Sequence, residues 1–493
     1  MSEDNRSGPS RRGVLAAMGA GSGLGLAGLM GIGAAQAAPL PEPETRHAYD
    51  VVVIGNGMAG LAAALEAAQQ GARVVVIDKE PERRMGGNTR LAGGGFSFPM
   101  EDTAEAREAY FQDYDTITRG RGNRTVFRLM AENVIADLAW LEENGVGFEP
   151  PAPWAPYRIR MAIASPGFFL GMPRMLSGLH EHLTGLGVDF AFDTKARQLI
   201  VDARGAVAGV RAQAAEGLVD YTGRVVMATG GYGANTAMLE AFSDPDAGAL
   251  MVRGFRGATG DGHLMAQAVG AGLAGMGGMQ ALHIAAVSPD STAAGQPAAA
   301  VPHVLSINAE GRRFVDESRG YVVHGMAVLG QPDGMTSLVF DQSIAEIGAV
   351  AGVLRSFERM GLEIMRADTL AELAAMIGAP AEAMQETIAA FNAAVTDGAA
   401  PGAEPPKATL AYKLENPPFY ALSPLRPGIT LTYGGIMIDE AGRALEPDGR
   451  VIEGLYAAGE GAGGVFHDDY IGGGALSMCL VMGRIAGRSA AGV

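Results

Sequence analysis

Tyr49-Asp-Val-Val-Val-Ile-Gly55-Asn-Gly57-Met58-Ala59-Gly60 opens the stretch that decides the fold, and Ala72-Arg-Val-Val-Val-Ile-Asp78 closes it. An Ala/Leu/Glu/Gln run joins the two. A β-branched apolar run, a glycine turn, a helical pattern and a second apolar run ending in an acid spell one βαβ unit. Each part has a task in dinucleotide binding. Gly55 turns the strand tightly, Gly57 lets the backbone approach a pyrophosphate, and Gly60 lets the helix pack close to the strand. The phosphates then meet the helix N-terminus, where unpaired amides and the dipole favour negative charge. Asp78, 18 residues past Gly60, is placed to accept a hydrogen bond from a ribose.

Working outward, Arg84-Met-Gly86-Gly87-Asn88-Thr89-Arg90-Leu-Ala-Gly93-Gly94-Gly95 is a glycine-dense loop a few residues beyond the acid. That position suits a second loop wrapped around the same cofactor. Helical spacing covers 104–113 and 125–144, strands are read at 188–193 and 198–202, and Val207 begins a small antiparallel meander. Arg224-Val-Val-Met-Ala228-Thr229-Gly230-Gly231 is a buried strand entering a glycine turn, and Gly257 to His263 opens a further Ala-rich helix.

Composition shifts near residue 283. A Pro/Ala/Ser/Gly loop spans 288–302, and charged amphipathic helices are expected at 343–355, 368–376 and 380–396. The glycine-rich pattern returns from Gly434 and ends in Gly472-Gly473-Gly474-Ala475-Leu476, which opens the last helix. The pattern predicts an α/β protein. A Rossmann-like nucleotide domain (46–282 and 423–493) is interrupted by an inserted α+β cap (283–422), with the ligand between them.

The chain has 493 residues, 48% of them hydrophobic, and a net charge of −17. With no basic cluster, that balance argues against nucleic acid or an anionic membrane as partner. Ser10-Arg11-Arg12-Gly13-Val14-Leu15 carries a twin arginine, followed by a weakly hydrophobic Gly/Ala stretch and the small-x-small site Ala35-Gln36-Ala37. Residues 1–37 read as a cleaved twin-arginine signal, and 38–45 as a linker. The expected destination is the periplasm, reached already folded, with no stable membrane span after cleavage. The single cysteine, Cys479, excludes an internal disulfide and reads as a buried inert thiol. No His/Cys cluster has metal-ligand spacing and no haem-attachment motif occurs.

The ordered motifs Gly55-x-Gly57-x-x-Gly60, Gly86-Gly-Asn-Thr89, Ala228-Thr-Gly-Gly231, Thr259-Gly-Asp-Gly262, Arg313-Phe-x-x-Glu317, Ala457-Ala-Gly-Glu460 and Gly483-Arg-Ile-Ala-Gly487 resemble a superfamily. It comprises FAD-dependent fumarate reductases, succinate dehydrogenases, 3-ketosteroid dehydrogenases and tricarballylate dehydrogenases. The resemblance runs from about residue 48 to the C-terminus. It implies FAD as cofactor, held first by Gly55, Gly57, Met58, Ala59, Gly60, Asp78 and Lys79. Further contacts are implied from Gly87, Asn88, Thr89, Gly94, Gly95, Ala196, Ala228, Thr229, Gly230 and Asp261, then from Gly459, Glu460, Ala475 and Leu476. It also implies hydride transfer between flavin and a C–C bond beside a carbonyl or carboxylate. A separate cytochrome or quinone-linked protein would exchange the electrons.

Substrate choice turns on a few positions. Where fumarate reductases carry a proton-donating arginine, a dicarboxylate-binding histidine and a further arginine, this chain has Tyr321, Leu431 and Tyr470. Both tyrosines resemble the pattern of 3-ketosteroid dehydrogenases. By that resemblance Tyr321 handles the proton, while the Tyr470 hydroxyl and Gly474 amide hold the substrate carbonyl. Tyr157 would assist, and His283 and Arg319 stand near substrate-binding positions. The expected substrate is a 3-ketosteroid-like enone. A carboxylate held by a pair drawn from Arg313, Arg319, Arg158 or Arg160 is the alternative, and a non-catalytic flavin carrier is the alternative of another class.

Overall fold

The two apolar runs that bracket the glycine turn become neighbouring strands. The structure, a computed structural model, describes residues 41–492 apart from 155–156, 168–169, 287–295 and 468, with backbone alone at 281–283 and 322. The segment read as a signal, 1–37, and residues 288–295 of the expected loop therefore lie outside the described residues. Residues 43–493 make one compact unit.

Strand β1 (Thr45–Ile54), helix α1 (Met58–Gln69) and strand β2 (Val74–Ile77) form the βαβ unit, with Val51 opposite Val74 and Ile54 opposite Ile77 in parallel register. Val51, Val52 and Val53 are all fully buried. Layers cover both faces of the sheet, so the run is continuously apolar rather than alternating. Next come β3 (Asp189–Ala191), parallel to β2, and the meander β4 (Lys195–Val201), β5 (Val207–Ala214) and β6 (Gly217–Met227). The end of β6 returns parallel beside β1, with Met227 opposite Ile54.

The inserted region builds a second sheet from β7 (Met279–Ala286), β8 (Leu305–Ile307), β9 (Thr336–Asp341) and β10 (Phe419–Thr432), with α2 (Tyr321–Leu329) between β8 and β9. Strand β10 pairs antiparallel with both β7 and β9, and its Gly428–Ile429 segment also pairs with Met251–Val252. The cap sheet thus begins before 283, and β10 runs across the expected boundary at 422. One long strand carries the cap directly into the cleft. The expected cap helices are observed at Gly348–Arg359, Leu370–Ile377 and Ala381–Ala394. The first starts later than the pattern implied because Ile347 is extended and separates it from the single turn Gln342–Ala345. The second starts on a capping box made by Thr369 and Glu372.

The chain then returns through β11 (Arg443–Leu445) and β12 (Val451–Ala457) to α3 (Gly474–Ala491). The large sheet has the order β11-β12-β6-β1-β2-β3, with β5 and β4 attached beyond β6. β2 and β6 run parallel to β1 on its opposite sides, so the carboxyl ends of β1 and β6 frame the crevice where such sheets bind ligands. Helix α3 covers α1 and is tied to it where Arg484 and Arg488 both pair with Glu66, at 2.7 and 2.9 Å. No helix among the described residues is long and apolar enough to cross a membrane.

Candidate active site

The turn after β1 creates the first cleft. Gly55 sits at φ +109°, and a Cβ there would strike the Ala228 carbonyl, while one on Gly60 would strike the Gly55 carbonyl. Only glycine allows strand, turn and helix to approach this closely. Gly57 is the N-cap of α1, has no side chain of its own to cap that end, and lines the cleft. The Met58 N–H meets Thr89 Oγ1 at 3.0 Å, which fastens the second glycine loop to the helix start.

Asp78 lines this cleft and also holds the turn. Its Oδ2 accepts the Asn56 N–H and its Oδ1 the Glu80 N–H, each at 2.9 Å. Burial raises its pKa despite those two donors. Across the cleft, Lys79 Nζ donates to Thr259 Oγ1 at 2.8 Å and to Asp261 Oδ2 at 2.6 Å, and Lys195 approaches Asp261 at 3.3 Å. Burial alone would raise the Asp261 pKa. The hydrogen bond and charge of Lys79, with help from Thr259 and Lys195, bring it below the ordinary value.

Asn88 and Glu460 join the first cleft to a second. Asn88 Nδ2 donates to Glu460 Oε2 at 2.8 Å and to the Thr430 carbonyl at 3.1 Å, while its Oδ1 accepts the Phe255 N–H at 2.6 Å. Glu460 Oε1 accepts the Thr432 N–H at 2.9 Å. Burial pushes the Glu460 pKa up against these donors. The carboxylate is therefore a fixed polar joint between cap strand β10 and the nucleotide domain. Asn88, Thr89, Glu460 and Cys479 line both clefts, so the two form one continuous groove.

The second cleft encloses about 1540 Å³ of space, part of it open to solvent. Leu91, Trp154, Met161, Leu431, Phe466 and Met478 give it an apolar wall. Tyr321 reaches it from the N-terminus of α2 and is 37% exposed, at the rim. Burial, then the charge of Asp469, raises its phenol pKa above the ordinary value. Tyr470 also lines this cleft. Its hydroxyl oxygen accepts the Ala475 N–H at 3.4 Å, which leaves the phenol proton to donate. Burial pushes its pKa strongly upward, with Tyr321 adding to the effect. Burial, then Asp469 and Tyr321, raises the Tyr157 pKa as well, but Tyr157 lines neither cleft.

Most of the residues named from the sequence come together. Gly55, Gly57, Met58, Ala59, Asp78, Lys79, Gly87, Ala196, Ala228, Thr229, Gly230, Asp261 and Gly459 line the first cleft. Gly94, Gly95, Ala475 and Leu476 line the second, and Gly60 serves the packing just described.

Corrections are needed elsewhere. The Gly474 N–H donates to the Ile471 carbonyl at 3.0 Å, so it does not hold a substrate oxygen; the amide beside Tyr470 is that of Ala475. Arg313 is buried against Glu317 at 2.9 Å, Arg158 pairs with Asp113, and Arg160 donates to the Pro151 carbonyl. Arg319 is exposed on the turn Glu317–Arg319, and none of these four arginines lines either cleft. Cys479 lies at the junction of the clefts rather than wholly inside a core, although burial pushes its thiol up to about 12. His283 pairs through its backbone with Gly428, and its side chain lies outside the described residues.

Sequence reasoning missed Asn56, Arg253 and Gln280. Asn56 is 1% exposed and lines the first cleft, and neither polar atom of its side chain has a partner; the buried Thr229 Oγ1 is likewise unpartnered. Buried polar atoms without partners in a cleft are positions where a ligand completes the hydrogen bonding. With the glycine turn at the start of α1, they fit the diphosphate and sugar-alcohol chain of FAD.

Comparison with known proteins agrees. The FAD binding domain model matches residues 50–476. The chain is 30% identical to the NADH:acrylate oxidoreductase of Vibrio harveyi over 90% of its own length, and spans 50% of that protein. It is 28% identical to the 3-oxosteroid 1-dehydrogenase of Mycobacterium tuberculosis, covering 90% of this chain and 98% of that one. The open form of a flavocytochrome c3 fumarate reductase matches with a TM-score of 0.76 and 25% identity, over 100% of this chain and 83% of that one. A groove built around the glycine turn at a helix start, and a family model that spans most of the chain, lead to one conclusion: the protein belongs to the FAD binding domain family, with FAD as its cofactor.

Proposed function

We propose that the protein is an oxidoreductase that reduces a C=C bond conjugated to a carbonyl group, with a bulky 3-ketosteroid-like enone as the preferred substrate class. When bound, the flavin would supply the hydride in its reduced form and accept it in its oxidised form. The observation that carries the reading is the pair Tyr321 and Tyr470 in one apolar cleft that continues into the FAD groove. Tyr470, with its proton free to donate, binds the carbonyl oxygen and stabilises the charge that develops there. Tyr321 delivers the second hydrogen as a proton to the neighbouring carbon.

Burial and Asp469 raise the Tyr321 pKa, so the phenol is neutral at neutral pH and carries the proton that reduction must deliver to carbon; in the reverse direction the same group takes it back. Names among the relatives agree with reduction, since one is an acrylate oxidoreductase using NADH. A separate redox protein would deliver the electrons, and the twin-arginine segment would take the folded holoprotein to the periplasm.

The test is anaerobic. Holoenzyme reduced with dithionite is mixed with conjugated ketones, then with conjugated carboxylates, and the flavin band is followed. Reoxidation by the ketones that is lost in Tyr321→Phe supports the reading. Reoxidation undiminished in the variant, or by carboxylates alone, overturns the tyrosine mechanism for enones. A flavin that no unsaturated carbonyl compound reoxidises points to a carrier instead.

A further inference from the structure

Arg253 supplies the one guanidinium among the described residues that line the substrate cleft. Its Nε and Nη1 are buried and have no hydrogen-bond partner. Gln280 lines the same cleft at 1% exposure, and both its Oε1 and its Nε2 lack partners. Leaving such groups unsatisfied is costly, and most so for a charge.

The backbone around them is built to aim them there. The N–H groups of Arg253 and Gly254 both donate to the Ile429 carbonyl at 2.9 Å, which fixes the start of the side chain. A Cβ at position 428 would collide with the Arg253 methylenes, so glycine at that point of β10 makes room for the stem. Gln280 lies beside a register shift in β7, a place where bulges re-aim side chains. Its cross-strand partner is Leu431, the residue that stands where the resembling reductases have a histidine.

Among the described residues, no other group in the cleft neutralises this cation. Glu460 is the one acid among the described lining residues, and its oxygens are committed to Asn88 and Thr432. The arginines first considered for a carboxylate lie outside the cleft. Burial pushes the Arg253 pKa down to about 10, which still leaves it charged at neutral pH.

We propose that Arg253 and Gln280 form an anion-recognition subsite in the substrate cleft and that the substrate carries a carboxylate. The guanidinium takes the carboxylate through its unpartnered nitrogens, and the Gln280 amide donates to it or to an adjacent polar group. The inference rests on the reading of the second cleft as the substrate site. It narrows the substrate class to a conjugated carbonyl compound bearing an acid.

The experiment compares each acid with its methyl ester on oxidised holoenzyme, by titrating the shift of the flavin band. The probes are cinnamate with methyl cinnamate, and testosterone hemisuccinate with its methyl ester. The acid of at least one pair is expected to bind about tenfold or more tighter than its ester, a preference abolished in Arg253→Gln and weakened in Gln280→Leu. FAD content of the variants should equal that of the parent. Arg253→Lys, which keeps the charge without the fork, should retain part of the preference and serves if the glutamine variant fails to fold.

Equal binding of acid and ester in both pairs, or a preference that survives in Arg253→Gln, overturns the proposal. Loss of FAD from folded Arg253→Gln overturns it too, by assigning the guanidinium to the cofactor. If no probe shifts the flavin band, the anion subsite falls. If acids bind through Arg253 but no conjugated compound is turned over, the proposed reaction fails and the subsite stands. In Tyr321→Phe the acid preference should persist while turnover is lost, which separates the two claims.

Discussion

Asn88 and Glu460, 372 residues apart in the chain, meet through a 2.8 Å hydrogen bond at the point where the cofactor cleft becomes the substrate cleft. Asn88 also reaches the Thr430 carbonyl and Glu460 takes the Thr432 amide, so the pair ties the cap strand β10 to both ends of the nucleotide domain. Replacing Glu460 by Ala removes the acceptor of buried donors. A destabilisation of roughly 1–3 kcal/mol is expected for each group left unsatisfied. Glu460→Ala should therefore unfold at lower temperature than the parent and lose FAD on desalting, measured by thermal melting and by the flavin-to-protein absorbance ratio. A variant with parental melting and full flavin would show that the joint is dispensable.

Tyr321→Phe tests the proton step. Loss of a positioned acid typically costs roughly a hundredfold to ten-thousandfold in rate. Reoxidation of the flavin by a conjugated substrate should slow by that order, while reduction by dithionite is unaffected. A rate within a factor of about two of the parent would remove Tyr321 from the mechanism.

The pH dependence of the same step follows from Asp469. Burial and that carboxylate both hold the Tyr321 proton on, so its deprotonation lies above the ordinary value of 10.0. The acid form is then present throughout the neutral range, and activity due to it falls only on the alkaline side. Asp469→Asn removes the charge while keeping an oxygen for the Tyr470 N–H, which Asp469 Oδ1 accepts at 2.7 Å. The alkaline limb of the rate profile should move to lower pH in this variant. An unmoved limb would mean that Asp469 does not act on the phenol.

The nucleotide half of the groove was legible in the sequence because its chemistry is local. Gly55, Gly57 and Asp78 lie within one βαβ unit, and spacing alone puts them at one turn. The substrate half is assembled from distant segments, and local patterns do not report it. Arg253 reaches the cleft because β10 pairs with the short strand before it, and Gln280 because of a bulge in β7. Neither feature leaves a periodic trace. Gly474 was misjudged for a related reason: helix starts usually expose amides, but here the preceding turn closes on Ile471 and occupies that one. The expected cap boundary at 422 falls inside β10, a single strand of 14 residues that serves both regions.

Cys479 gives a further check on the groove. Burial, with the Glu460 charge added, pushes its thiol up to about 12, so little thiolate forms at neutral pH. Native holoenzyme should react negligibly with a disulfide reagent at pH 8, whereas the unfolded chain should release one equivalent, matching its 1 cysteine. Rapid reaction of the native protein would contradict the burial at the junction of the clefts.

Behind Tyr321, Glu317 is fully buried between Arg313 at 2.9 Å and Lys407 at 3.4 Å, and accepts the Ser306 N–H at 2.9 Å. Burial opposes its ionisation, but Lys407, Arg313 and Ser306 together hold its pKa below the ordinary value of 4.5. A carboxylate whose folded pKa is depressed stabilises the fold above its unfolded pKa, and that contribution is lost as pH falls through the folded value. This contribution should therefore be complete at neutral pH and disappear below about 4.5. Glu317→Gln leaves two buried cations uncompensated, which costs roughly 3–5 kcal/mol at neutral pH. The deficit, read from denaturant unfolding at pH 7 and at successively lower pH, should shrink as the parent loses its own ion cluster in acid. A deficit that stays constant into that range would show that the Glu317 charge does not hold the turn from which Tyr321 projects.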